Sequence, residues 1–118
     1  MTRDLTRGAV VTLRFDPTEG SEIRGTRPAV VVSNDAACRF DAVVQVVPVT
    51  GLPDRELRPY ESRVDSTGSG LARPSRLVAN QIRTVSKRRI DDVVGHLDRE
   101  EEAALDRALE IQLALGPR

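Results

Sequence analysis

Short apolar runs separated by turn-forming residues occupy the first two thirds of the chain. Runs of this length, rich in β-branched residues, are typical of β-strands and are too short for most globular helices. Many short strands at close spacing predict a small, strongly curved barrel, because such a barrel leaves few exposed sheet edges. The predicted strands cover residues 9–15, 28–33, 42–50, 60–64, 76–85 and 93–97.

Two of these runs say more about their surroundings. Residues 28–33 ("PAVVVS") are continuously apolar, which predicts a strand buried on both faces. Pro48 lies inside the run at 42–50. Because proline has no amide hydrogen to give to a sheet, it marks an edge or a bulge there.

The last segment changes from the period of a strand to that of a helix. Residues 98–115 ("DREEEAALDRALEIQLAL") place apolar side chains at helical spacing and predict one helix. Asp98 is a typical N-cap, and Glu101 stands three residues later in capping-box position. We expect the apolar face of the helix to cover the barrel, with a dimer contact as a second possibility. The sequence contains no repeat or linker, which predicts a single domain over residues 1–118.

The overall charge is neutral, with 18 basic and 18 acidic residues among 118. The total therefore gives no sign of a nucleic-acid partner, although it can hide a local basic cleft. All the basic residues but Lys87 are arginines. A GC-rich genome explains this bias, and so does binding of phosphate, since a guanidinium matches phosphate oxygens in bidentate fashion. The few aromatic residues argue against recognition of bases mainly by stacking.

Several locations and chemistries are disfavoured by the sequence. No apolar run is long enough to span a membrane, and the first residues lack the core of a signal peptide, so we expect a cytoplasmic protein. Cys38 is the one cysteine and is interpreted as a buried structural thiol. His96 is the one histidine, which rules out a two-histidine ribonuclease mechanism, and we interpret it as a packing or capping residue. We expect no metal or other cofactor, although an all-carboxylate magnesium site stays open.

The segment "PTEGSEIRGTRPAVVVSND" is the strongest candidate for a binding site. Gly20 and Gly25 allow the loop to bend close to a ligand. Arg27 precedes Pro28, whose ring forces an extended backbone on the residue before it. An arginine held in this way can contact a phosphate without reorganisation. The alternative is a solvated loop in which Glu22 forms surface ion pairs with arginines.

A second basic segment, "RTVSKRR", covers residues 83–89. Arg83, Lys87 and Arg88 are candidates for contacts with the phosphate backbone of a nucleic acid. The alternative is a solvated turn after a strand.

Taken together, these motifs resemble the MazF/PemK family of toxin endoribonucleases. The resemblance rests on "RG" at residues 7–8, the G-S-E-x-x-G-x-R-P element, "VVPVT", "NQIRTVSKRRI" and the C-terminal helix, all in the same order. It implies an SH3-like, plasmid-maintenance-toxin barrel with a C-terminal helix. It also implies a homodimer that cleaves single-stranded RNA, chiefly messenger RNA, without a metal, and a cognate antitoxin whose disordered tail occupies the RNA groove.

The resemblance also assigns roles to residues. It implies catalytic roles for Arg27, Thr50 and the loop carboxylate Glu22. It implies RNA contacts at Ser21 and Gly25 of the G-S-E-x-x-G-x-R-P element and at Asn80 and Gln81 of the N-Q-I-R-T element, beside the basic candidates Arg83, Lys87 and Arg88. The chain departs from the family at Asn80, where many members have an acid, and at Ile23, where many have a polar residue.

Three other functions are alternatives. Toxins of the same fold that poison DNA gyrase act through a C-terminus containing tryptophan, whereas this chain has no tryptophan and ends "LGPR". A barrel that binds RNA or protein without cleaving it is the second alternative. A stand-alone transcription factor is the third, although the sequence shows neither a recognition helix nor a basic surface for it.

Overall fold

The computed structural model describes residues 5–14 and 26–116, and the following statements concern these ranges. Short 3₁₀ turns stand at Thr67–Ser69, Ala79–Gln81 and Lys87–Arg89. The strands and helices are β1 (Ala9–Arg14), β2 (Thr26–Val31), α1 (Asp35–Phe40), β3 (Val43–Gly51), β4 (Glu61–Val64), β5 (Ser75–Val78), β6 (Arg83–Ser86), β7 (Ile90–His96) and α2 (Arg99–Leu113).

The strands form one antiparallel sheet in the order β4-β5-β3-β2-β1-β7, and β6 also pairs with β3. Across the described ranges no pairing joins β4 to β7, so the sheet is open rather than closed into a barrel. The prediction of a mostly antiparallel β-fold followed by a C-terminal helix is confirmed.

Strand β3 holds the sheet together because it pairs along both of its edges. One edge pairs with β2 through residues 46–48. The other edge pairs first with β6, through residues 43–46, and then with β5, through residues 49–51. Pro48 stands where that second edge changes partner, which is the kind of irregularity its missing amide hydrogen predicts.

Alternating side chains of β1, β2 and β3 fill two apolar clusters, one on each side of the sheet. Val30 lies in the cluster covered by Leu105 and Leu109 of α2, whereas Val31 lies in the opposite cluster with Cys38. Burial of β2 on both faces is therefore confirmed for residues 29–31.

The capping box predicted for α2 is present. The Asp98 carboxylate accepts a 2.8 Å hydrogen bond from the Glu101 amide, and Glu101 accepts one of 3.0 Å from the Asp98 amide. The buried Glu101 carboxylate also accepts bonds from the amides of Asp65 and Ser66 and from the Ser66 hydroxyl. The helix ends at Leu113, earlier than predicted, because Ala114 adopts a left-handed conformation with φ of 56°.

Two elements differ from the predicted ones. The single strand predicted over residues 76–85 is broken by the turn at Ala79–Gln81 into β5 and β6, which lets both pieces pair with β3. The turn signal at Asn34 and Asp35 begins the short helix α1, in which the Asn34 side chain caps the Ala37 amide at 2.8 Å.

Candidate active site

A cleft of about 340 Å³ opens between β2, β3, β5 and the turn that follows β5. Its walls combine apolar strand residues with three arginines, a hydroxyl and a carboxamide. The lining residues are Leu13, Arg27, Pro28, Ala29, Val46, Pro48, Val49, Thr50, Arg76, Val78, Gln81 and Arg83.

The cleft opens where the pairing of β2 with β3 stops. The last recorded pair is Ala29 with Pro48. Neither Pro28 nor Pro48 has an amide hydrogen with which to continue the ladder. The same register, continued for two residues beyond that pair, would place Arg27 opposite Thr50, and both residues line the cleft. The structure therefore brings the two residues into one cleft, although they are distant in sequence.

Arg27 sits on an extended backbone, as the following proline predicted, because β2 begins at Thr26 and pairs Arg27 with Leu13 of β1. Thr50 lies near the end of β3 and pairs with Arg76 of β5. Both Arg27 and Thr50 are exposed. Their side chains can therefore reach a ligand in the cleft while neighbouring strands fix their backbones.

The break between β5 and β6 supplies two further lining residues. Gln81 ends the 3₁₀ turn and Arg83 begins β6, and both border the cleft. Asn80 lies in the same turn and is exposed, but it does not line the cleft.

Sequence reasoning missed Arg76. Its Nη1 atom lies 2.6 Å from Oε2 of Glu61, whose side chain is only 2% exposed. Arg55 donates to both oxygens of the same carboxylate, at 2.9 and 3.0 Å. Hydrogen bonds from Arg55 outweigh the opposing effect of burial and, with the Arg58 amide and the Arg76 charge, lower the pKa of Glu61 to about 2. The available signal was an arginine within a predicted strand. Its position in the cleft could not be predicted from that signal, because it depends on which strands pair with each other.

Lys87 and Arg88 lie outside the cleft. The Lys87 ammonium donates to the carbonyl oxygens of Ala37 and Cys38, at 2.9 and 2.7 Å. Arg88 is exposed and borders a separate hollow of about 320 Å³ with Arg14, Ser86 and Arg89. The structure therefore does not bring these two candidates together with Arg27 and Thr50.

Three predicted site residues, Ser21, Glu22 and Gly25, lie outside the described residues. The same holds for Ile23. Their roles stay predictions.

The histidine and the cysteine have structural surroundings. The two ring nitrogens of His96 lie 2.8 and 3.0 Å from the carbonyl oxygens of Leu97 and Arg7. Burial raises the pKa of the Cys38 thiol, although the Lys87 charge opposes that effect. Both residues are therefore occupied by packing and local hydrogen bonds. Within residues 5–14 and 26–116, no three His, Cys, Asp or Glu side chains come close enough to hold a metal ion.

Comparison with known proteins assigns the chain to a family. Residues 6–113 match the family described as PemK-like, MazF-like toxin of type II toxin-antitoxin system. The chain is 37% identical over 109 residues to Endoribonuclease EndoA of Bacillus subtilis, covering 92% of this chain and 94% of that one. It is also 37% identical over 114 residues to Endoribonuclease MazF9 of Mycobacterium tuberculosis, covering 92% of this chain and 96% of that one.

Solved structures of the same fold agree with this assignment. The MazE-MazF crystal structure (Form-II) from Deinococcus radiodurans superposes with a TM-score of 0.80 at 24% identity, covering 98% of this chain and all of that one. An endoribonuclease in complex with its cognate antitoxin from a mycobacterial species gives a TM-score of 0.77 at 24% identity, covering 97% and 99% of the two chains.

The chain belongs to the PemK-like, MazF-like toxins of type II toxin-antitoxin systems. It is an endoribonuclease of that family, so the resemblance found in the sequence is confirmed. In the part of the chain that the structure describes, no helix is both long and apolar enough to cross a membrane.

Proposed function

We propose that this toxin cleaves single-stranded RNA, chiefly messenger RNA, at a phosphodiester bound between Arg27 and Thr50. The substrate's own 2'-oxygen attacks the adjacent phosphorus, and the bond from phosphorus to the 5'-oxygen breaks. The 2'-hydroxyl loses its proton and the departing 5'-oxygen gains one. The products are a 2',3'-cyclic phosphate and a 5'-hydroxyl. The observation that carries the proposal is that both side chains line one cleft, at the end of the pairing between β2 and β3.

Arg27 stabilises the charge that builds on the phosphoryl oxygens. A fixed cation at such a place supplies several kcal/mol, as in other sites that stabilise a developing oxyanion. Since a guanidinium has a pKa above ~12, Arg27 acts as a hydrogen-bond donor and not as a general base. The paired strands β1 and β2 hold its backbone in place before substrate arrives.

Thr50 donates its hydroxyl proton to a phosphoryl oxygen or orients the attacking 2'-hydroxyl. Gln81 and Arg83 border the same cleft. In this proposal they contact the RNA beside the cleaved bond. Glu22 accepts a proton, orients Arg27 or contacts a base.

The lining supports chemistry without a metal, because the polar groups of the described cleft are guanidinium, hydroxyl and carboxamide rather than carboxylate. Guanidinium groups donate to an anionic substrate, whereas magnesium sites in proteins are usually built on one or two carboxylates, which the described lining does not contain.

The proposed partners follow the family. The toxin acts as a cytoplasmic homodimer in which residues 1–118 form one domain, and a cognate antitoxin neutralises it. The antitoxin's disordered tail occupies the RNA groove and becomes ordered on binding, at a cost in conformational entropy that makes the inhibition reversible. The relatives solved with their antitoxins support this assignment.

The decisive experiment measures cleavage of a single-stranded RNA by Arg27→Ala and Thr50→Ala proteins. We expect each rate to fall about a hundredfold or more, because each change removes a donor to the developing charge. Cleavage should persist in EDTA and leave 5'-hydroxyl ends. Matched controls are Arg107→Ala on the exposed face of α2 and Thr67→Ala in an exposed turn, which should cleave normally. Near-normal cleavage by a folded Arg27→Ala or Thr50→Ala protein would remove the assignment.

A further inference from the structure

A second guanidinium stands beside Thr50 in the wall of the cleft. Arg76 is the register partner of Thr50, and side chains directly opposite each other on antiparallel strands lie on the same face, about 5 Å apart at Cβ. The Arg76 side chain is 20% exposed and lines the cleft. Arg27, Thr50 and Arg76 therefore occupy neighbouring positions across β2, β3 and β5.

Arg76 is fixed from behind by Glu61. The 2.6 Å contact between Nη1 and Oε2 holds the guanidinium, and the Arg55 fork holds both oxygens of the same carboxylate. One negative charge thus faces two positive charges, so the group of Glu61, Arg55 and Arg76 is net positive. A buried carboxylate that is also bound by a backbone amide is a rigid support for an arginine at a cleft wall.

The hydrogen-bonding capacity of Arg76 is incompletely used. Its Nε atom is buried and has no hydrogen-bond partner among the described residues. Because Nε has almost no exposed surface, a ligand would contact the exposed part of the guanidinium, and a guanidinium binds phosphate oxygens in bidentate fashion. An anionic ligand in the cleft would therefore gain from this side chain a preorganised cation.

We propose that Arg76 is a phosphate-binding residue of the cleft and that Glu61 is its positioning residue. Neighbouring β-strands lie about 4.8 Å apart. An extended nucleic-acid strand that places one phosphate between Arg27 and Thr50 therefore brings the adjacent phosphate to Arg76. The identity of the ligand as RNA rests on the proposed function. The contact between Arg76 and a phosphate requires only the cleft and a single-stranded polyanion.

The test measures binding of a labelled, single-stranded DNA oligonucleotide of mixed sequence at several salt concentrations. We expect Arg76→Gln to weaken binding roughly tenfold. The slope of log K against log salt should become shallower by about 0.7, as for the loss of one phosphate contact. Arg76→Lys should keep the slope, since an ammonium also neutralises a phosphate. Arg107→Gln, which removes the same charge from α2, should change neither quantity. An unchanged slope in folded Arg76→Gln protein overturns the proposal.

The experiment distinguishes a loss of phosphate binding from a folding defect and from a loss of cleavage. Glu61 keeps Arg55 and the Arg58 amide in Arg76→Gln, so the variant should fold, which thermal unfolding checks. If the variant does not fold, a ¹⁵N NMR titration of the unmodified protein tests the same contact. The Arg76 Nε–H resonance should move when the oligonucleotide is added, while that of Arg107 stays. A resonance that does not move overturns the proposal. Since the probe lacks a 2'-hydroxyl and cannot be cleaved, the outcome is independent of the cleavage chemistry.

Discussion

The ammonium group of Lys87 lies 2.7 Å from the carbonyl oxygen of Cys38, at the C-terminal end of α1. It also donates to the Ala37 carbonyl, which already accepts a hydrogen bond from the Asp41 amide, so the ammonium lies at the negative end of the helix. Arg88 is the next residue and is exposed. Lys87 and Arg88 therefore have different surroundings, although the charge pattern of the sequence does not distinguish them.

We expect substitutions of these two cations to have opposite effects. Lys87→Gln should lower the free energy of unfolding by about 1–2 kcal/mol, because charge-assisted bonds to helix carbonyls are lost. Arg88→Gln should change stability by less than about 0.5 kcal/mol. It should, however, reduce the salt dependence of binding to a single-stranded oligonucleotide by about 0.7 in slope. Urea unfolding and binding titrations check both effects. If Lys87→Gln kept its stability and made the salt dependence of oligonucleotide binding shallower, Lys87 rather than Arg88 would be the phosphate contact.

The strands were predictable because their burial is periodic or continuous, as in the run that became β2. The break inside residues 76–85 was not, because neither glycine nor proline marks it and Ala79 at the turn is buried like a strand residue. The chain turns there because β5 and β6 share one edge of β3. Helix α1 is six residues long, too short for a helical period to emerge from the sequence.

Local sequence also gave part of the cleft. Arg27 was found because Pro28 restricts its backbone, and Pro48 marked an irregular strand close to Thr50. The pairing that places Arg76 beside Thr50 joins residues far apart in sequence, and strand register cannot be read from a local pattern. The hydrogen bonds of Lys87 could not be predicted either, because charge alone does not show which carbonyl groups a cation will meet.

Glu61 predicts a loss of stability in acid. Its pKa falls from 4.5 to about 2 on folding, chiefly through hydrogen bonds from Arg55 and against the effect of burial. A carboxyl whose pKa is lowered in the folded state stabilises the fold fully above its unfolded pKa. This contribution is lost as the pH falls from about 4.5 towards about 2. We therefore expect Glu61→Gln to be less stable than the unmodified protein by about 3 kcal/mol at pH 7, with the difference narrowing through that acid range.

Comparing the two proteins isolates this contribution, since they share every other carboxyl group. Urea unfolding at a series of pH values gives the difference in unfolding free energy directly. Glu56→Gln is a suitable control because Glu56 is nearby and exposed, and its effect should stay within about 0.5 kcal/mol. A difference for Glu61→Gln that is constant across the acid range would contradict the assigned cause.

The contact between β7 and the turn at Thr67–Ser69 depends on a residue without a side chain. A Cβ atom built on Gly95 would overlap the backbone carbon and oxygen of Ser69, and neither can rotate away. We expect Gly95→Ala to lower the free energy of unfolding by about 2–3 kcal/mol, because backbone must shift to make room. Gly68 lies in the same contact, but its added Cβ would meet only the His96 carbonyl oxygen at 3.8 Å. Gly68→Ala should therefore stay within about 0.5 kcal/mol of the unmodified protein in urea unfolding. Equal stability of the two alanine variants would show that β7 and this turn are not packed as closely as the geometry requires.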